Sequence, residues 1–216
     1  MKNTICEKLM WAITNSTVLK FLAKEFSEDE MRTVKREFKK RYTEMRNEID
    51  DIGPLFKNPL RICLAGGVIW LAAYEACNGR MVEEMFSRMI TDTMNSPLYK
   101  KAFGAKDPFV AEKQKKKVAA FKVANEISDS EYNWQTDYTP GRDETEYFCT
   151  YRKCGLCALG RKYGHPELIK HMCQMDYISI DMMGGVLYRT KALATGGDCC
   201  DFHVVKKGSK WIEKYN

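Results

Sequence analysis

The chain has 216 residues, of which 44% are hydrophobic and 30% charged, and a formal net charge of +6. That is enough for one well-buried core and short for two independent domains, so a single domain over 1–216 is expected, with a mainly helical lobe at 1–125 and a cysteine-rich lobe at 126–216. The longest apolar run, Cys63 to Tyr74, falls short of the roughly 20 residues that cross a bilayer, which excludes a membrane span.

From Thr4 to about Gly104 the pattern is helical. Met31, Val34, Phe38, Tyr42, Met45, Ile49 and Ile52 recur at spacings of three and four, an apolar stripe on an otherwise charged helix. Ser27-Glu28-Asp29-Glu30 supplies its N-cap and negative first turn, and Gly53-Pro54 ends it. The stripe suits intramolecular core, and its near-heptad spacing leaves a homodimer seam open. Cys63 to Tyr74 contains Gly66-Gly67 and reads as a buried helix on which others pack closely. A third helix repeats the pattern with Val82, Met85, Phe86, Met89 and Ile90.

The run Lys113-Gln114-Lys115-Lys116-Lys117 lacks interleaved aromatics and reads as a solvated face, so no nucleic-acid partner is expected. After it the period changes. Trp134 to Tyr138 and Glu144 to Arg152 form a hairpin around Thr139-Pro140-Gly141-Arg142-Asp143. Cys154 to Tyr163 is a short helical piece stopped by Gly164. One further helix runs from His165-Pro166-Glu167 to Gly184-Gly185. Val186 to Ala194 and Cys199 to Val205 make a second hairpin. The fold class is therefore α+β, a helical lobe packed on a lobe with a small antiparallel sheet of two hairpins and intervening helices.

Six of the nine cysteines and all three histidines fall in the last third of the chain, a density expected where a protein does chemistry or binds metal. The odd cysteine count and an N-terminus without an apolar signal core indicate a reduced, cytoplasmic protein. On the helix after His165, Leu168, Ile169, Met172, Ile180 and Met183 share one arc, with Asp176 near its middle and Cys173 at its flank. A carboxylate facing inward needs a donor partner, a metal or a catalytic role. On the last strand Cys200, Phe202 and Val204 point to one face, while Cys199, Asp201 and His203 point to the other, where Asp201 is close enough to orient the imidazole. Cys154-x-x-Cys157 has the spacing of a redox pair, of half a zinc site with Cys173 and Cys200 as further ligands, or of thiols lining a pocket or core, so zinc is an open alternative although no cofactor is required.

Taken in order, Cys154-Gly155-Leu156-Cys157, Gly164-His165-Pro166-Glu167, Cys173-Gln174-Met175-Asp176-Tyr177, Leu187-Tyr188-Arg189-Thr190-Lys191 and Gly196-Gly197-Asp198-Cys199-Cys200-Asp201-Phe202 resemble the L-2-amino-thiazoline-4-carboxylic acid hydrolase family, over about Tyr147 to Val205. Gly155 stands where the family pattern often has proline, a change expected to loosen the turn. The resemblance implies a hydrolase opening a small, anionic cyclic isothiourea to N-carbamoylcysteine. It implies Cys200 as nucleophile or pocket thiol, Asp176 as acid/base, His203 or His171 as proton shuttle, and Arg189 with Asp201 as substrate-binding residues. A second mechanism makes Cys154, Cys157, Cys173 and Cys200 zinc ligands, with a metal-bound water as nucleophile if one position stays open. The non-enzymatic alternative is a small-molecule or metal-binding sensor module.

Overall fold

Thr4 and Ser27 start their helices by the same device. Each hydroxyl accepts from the first turn while Glu7 or Glu30, three residues on, reaches back to the cap amide. The structure, a computed structural model, describes residues 1–104 and 107–212; residues 105–106 and 213–216 of the expected domain lie outside the described residues. Helix α1 spans Ile5–Glu25, α2 Glu28–Glu48, α3 Arg61–Ala76, α4 Glu83–Asn95, α5 Pro97–Phe103 and α6 Ala111–Ile127. None of the helices among the described residues is long and apolar enough to cross a membrane.

The α2 stripe is used inside the chain, where Met31, Val34, Phe38, Tyr42 and Met45 are buried. Trp11 of α1 stacks on Tyr42, with ring centroids 4.2 Å apart. Ile49 and Ile52 are buried too, but they lie beyond the helix, which ends at Glu48 before Gly53-Pro54 is reached. In α4, Phe86, Met89 and Ile90 are core as expected, whereas Val82 is exposed just ahead of the first turn.

Helix α3 is the central element, with most of its side chains sealed from solvent. Gly67 works through close approach: a Cβ there would stand 2.5 Å from Leu156 Cδ2 and 3.2 Å from Leu159 Cδ2. Arg61 opens α3 inside a buried ionic cluster. Its Nε donates to Glu7 Oε1 at 2.7 Å, and further donors meet Asp51, the Gly53 carbonyl and, at 3.0 Å, the Lys2 carbonyl. One guanidinium thus joins α1, α3 and the segment after α2.

The second half begins with strands β1, Gln135–Pro140, and β2, Glu146–Lys153, the expected hairpin. Helix α7, Gly155–Lys162, follows and ends before Gly164, which has the left-handed φ of +73° that glycine tolerates. The single helix expected after His165 is instead broken into a 3-10 turn at Pro166–Leu168, α8 at Ile169–Met172 and α9 at Gln174–Met182. The break falls at Cys173, with no glycine or proline to announce it. Strands β3, Gly185–Tyr188, and β4, Cys200–Lys206, complete the molecule. The second hairpin is looser than expected, since residues 189–199 form a long connection with a 3-10 turn at Leu193–Thr195 rather than a tight turn.

The two hairpins are one sheet in the order β1-β2-β4-β3, antiparallel throughout. Pairing Tyr151 with Cys200 and Cys149 with Phe202 puts one face of β2 and β4 toward the helices, and α6 packs along β1.

Candidate functional site

Cys154 leaves strand β2 in an extended conformation and is the N-cap of α7. This puts its sulfur at the positive end of a helix, where an anion is favoured. Cys157 lies one turn on, and the interaction between the two thiols lowers the Cys154 pKa and raises that of Cys157. The amides of Cys157 and Leu156 reach the sulfur too loosely to make a geometric cap, yet their dipoles favour the thiolate against the burial that opposes it. Of the two, Cys154 is the more readily ionised.

Gly155 does not loosen this turn. A Cβ there would lie 2.2 Å from the Tyr132 carbonyl oxygen and 2.9 Å from the Trp134 ring, so its bare backbone lets α7 start against the segment before β1. Gly155→Ala is expected to destabilise the protein by about 1–3 kcal/mol, the usual cost of overpacking a site that cannot yield. Urea unfolding checks this: a midpoint unchanged from the parent would mean that the Tyr132 segment moves aside freely.

Asp176 sits in the first turn of α9 and accepts from Arg189 Nη1 at 3.1 Å. The inward carboxylate expected on this arc has the donor it requires. Its side chain keeps 32% of its area open while the surrounding protein is dense enough for burial to push its pKa up to about 6, against Arg189 and Lys117. Asp176 is thus a half-buried carboxylate in dense surroundings. Arg189 is 9% open and lies over the rings of Tyr177 and Phe202, with centroids at 4.9 and 5.4 Å.

Cys200, at the start of β4, shares this environment and feels Cys154, Arg189 and Asp176. Burial pushes its thiol up to about 11, and its sulfur already accepts from the Leu193 amide at 3.3 Å. As a nucleophile it is the poorer placed of the two. Cys173, at the α8–α9 break, and Cys63, on α3, are pushed up by burial to about 12 each, with Asp176 adding to both.

Three expected site residues lie elsewhere. His203 faces the far side of the sheet, stacked on Phe148 at 4.3 Å, with Nε2 2.9 Å from Glu146 Oε2. The alternation of β4 is as read, but Asp201 does not orient His203; it accepts from the amides of Thr190 and Lys191 and from the Thr190 hydroxyl, pinning the connection after β3. His171, on α8, pairs with Glu83 at 3.1 Å and meets Phe86 edge-on. Arg189, expected to clamp a substrate carboxylate, is held by Asp176.

The zinc alternative fits poorly. Among the described residues no group of three or more His, Cys, Asp or Glu side chains could hold a metal ion. Cys154, Cys157 and Cys173 therefore do not form a ready ligand set. All nine cysteines are free thiols.

Lys117 was assigned to a solvated face and points inward instead. Its Nζ meets the Tyr151 hydroxyl at 3.0 Å and lies near the Phe121 and Tyr151 rings. The signal was present: Phe121 and Ala124, the buried residues of α6, follow Lys117 at the four- and three-residue steps of one helical face. Two surface depressions lie away from this chemistry. The larger, about 360 Å³ between α6 and β1, is lined by residues such as Lys122, Asn125, Asp129, Asp137 and Lys153 and contains no thiol or imidazole. The smaller, beside Phe21 and Arg88, has none either.

A family model described as L-2-amino-thiazoline-4-carboxylic acid hydrolase matches residues 64–204. The match takes in Lys117, Cys154, Asp176, Arg189 and Cys200, and it extends through helices α4 to α6 as well as the cysteine-rich half. No curated protein and no solved structure matches the chain.

Proposed function

This chain belongs to the L-2-amino-thiazoline-4-carboxylic acid hydrolase family, and on that premise we propose that it opens a small carboxylated cyclic isothiourea by thiolate attack, giving N-carbamoylcysteine when the ring is L-2-amino-thiazoline-4-carboxylate. The observation that supports this reading most is the Cys154–Cys157 pair at the start of α7 in the electrostatic field of the Asp176–Arg189 pair. Thiolate and raised carboxylate are the two groups that addition to an amidine carbon requires.

The ring enters as its isothiouronium. Cys154 Sγ attacks the carbon between sulfur and nitrogen, the ring carbon–sulfur bond breaks, and the departing thiolate takes the proton that the isothiouronium carried. Water then adds to the carbon now bonded to Cys154. Ionised Asp176 accepts the water proton and passes it to the ring-derived nitrogen, and expulsion of the Cys154 thiolate leaves the urea with one proton released to solvent. Cys157 stabilises Cys154 in each of its anionic forms, and Arg189 keeps Asp176 oriented. A reducing compartment such as the cytoplasm suits a site built on free thiols.

Asp176 must be ionised for its step. Its pKa of about 6 predicts that kcat/KM falls about tenfold per pH unit below that value and levels off above it. Asp176→Asn is expected to remove this limb and to lower the rate about 10²- to 10⁴-fold, the usual worth of a positioned proton acceptor. An unchanged acid limb in the variant would take Asp176 out of the proton transfer.

The reading itself is tested by thiol release from L-2-amino-thiazoline-4-carboxylate with catalytic amounts of reduced protein, and by mass spectrometry of the product. Multiple turnovers to N-carbamoylcysteine support it. No release above an enzyme-free control would leave this substrate outside the protein's activity.

A further inference from the structure

Lys117 is a half-buried cation with no carboxylate beside it among the described residues. Lys113, Lys115 and Lys116 on the same helix are exposed, whereas Lys117 turns between the Phe121 and Tyr151 rings, with centroids at 5.9 and 5.7 Å. Its ammonium has three donors, and the one hydrogen bond it makes among the described residues goes to the neutral Tyr151 hydroxyl. No carboxylate among those residues lies within ion-pair distance of it. Burial pushes the Tyr151 phenol up to about 12, so it supplies no charge at neutral pH. A partly desolvated ammonium without a counter-charge favours a bound anion.

Its surroundings belong to the candidate site. Tyr151 pairs in register with Cys200, its ring meets Phe202 at 5.0 Å, and the fields of Lys117 and Asp176 overlap. Arg189, the other cation here, has Asp176 as its counter-charge, whereas Lys117 has no carboxylate partner among the described residues.

We infer that Lys117 and the Tyr151 hydroxyl form the subsite for the substrate carboxylate, selecting small rings that carry a negative charge. This deepens the hydrolase reading and rests on it for the chemistry of the ring. Two donors at one end of the ligand and the Cys154–Asp176 chemistry at the other would fix which ring carbon meets the thiolate. The specificity is charge-based: an uncharged ring leaves the ammonium unpaired, whereas a carboxylated ring replaces the missing anion.

The test reads binding apart from turnover. Isothermal titration calorimetry on the Cys154→Ala protein compares L-2-amino-thiazoline-4-carboxylate with the uncharged ring 2-amino-2-thiazoline, alone and with Lys117→Met, Lys117→Arg or Tyr151→Phe added. Lys117→Met is expected to weaken carboxylate binding about 10- to 100-fold, the worth of a hydrogen bond to a charged group, while changing binding of the uncharged ring less than about twofold. Lys117→Arg should recover part of the loss, and Tyr151→Phe should reproduce a smaller one. Should Lys117→Met fail to fold, the last two variants carry the comparison. Equal losses for both ligands, undiminished carboxylate binding, or no carboxylate binding by the Cys154→Ala parent would each overturn the inference. Failure of the hydrolase reading looks different: Lys117-dependent carboxylate binding would persist, but the wild type would release no thiol.

Discussion

Cys154→Ala is expected to lower thiol release from L-2-amino-thiazoline-4-carboxylate by about 10³-fold or more, because removing a covalent nucleophile removes the route and not merely an aid to it. Cys200→Ser should stay within about tenfold of the wild type, since a buried thiol pushed up to about 11 contributes shape rather than a thiolate. The contrast matters because both sulfurs occupy one electrostatic neighbourhood and either could be the nucleophile on residue type alone. Iodoacetamide labelling at neutral pH followed by peptide mapping checks the assignment independently of substrate. Cys154 should be modified first, and small ligands should protect it. Loss of turnover in Cys200→Ser with a retained fold, beside an active Cys154→Ala, would reverse the roles.

The second large effect concerns stability. Arg61→Ala is expected to destabilise the fold by about 3–5 kcal/mol, as breaking one side of a buried ion pair does. Glu7 and Arg61 are 0% and 1% exposed, so the carboxylate abandoned by the substitution has no water to turn to. Asp51 and two carbonyls would lose donors at the same time. Burial pushes the Glu7 carboxyl up, but hydrogen bonds from Arg61 and Thr4 outweigh it and hold the pKa below its ordinary value. A carboxyl lowered on folding stabilises the protein above its unfolded pKa, and that contribution disappears as pH falls through the folded one. Thermal melts between neutral and acidic pH should therefore converge for the wild type and Arg61→Ala. A separation that persists into acid would place the Arg61 contribution in packing.

Where the chain repeats a period, its sequence and structure agree. The α2 stripe from Met31 to Met45 and the apolar α3 around Gly66-Gly67 are buried where spacing put them. Asp176 was legible as an inward carboxylate in need of a donor, and Arg189 fills that need thirteen residues later. Distant pairings were not legible. Nothing local predicts that β2 and β4 join two hairpins into one sheet, that Glu146 claims His203, or that Thr190 and Lys191 claim Asp201. The division of labour between Cys154 and Cys200 was hidden for a similar reason. It depends on a helix start and a neighbouring thiol for one sulfur and on burial for the other, and residue type records neither. For Lys117 the helical phase set by Phe121 and Ala124 outweighs the charge of the run.

The pairing of β2 with β4 also orders events during folding. Tyr151 meets Cys200 and Glu146 meets Val205 across a loop that contains α7, α8 and α9. Closing such a loop is entropically slow compared with winding a single turn of helix. The Cys154–Cys157 dithiol can therefore form locally at the start of α7, while Asp176 and Arg189 reach it only when the central strands zip together. During that interval the thiols are adjacent, uncovered and open to oxidation to a disulfide. Refolding under a low-molecular-weight disulfide should trap this bond faster than native protein acquires it, so reductant present before the sheet closes would govern the yield of active protein.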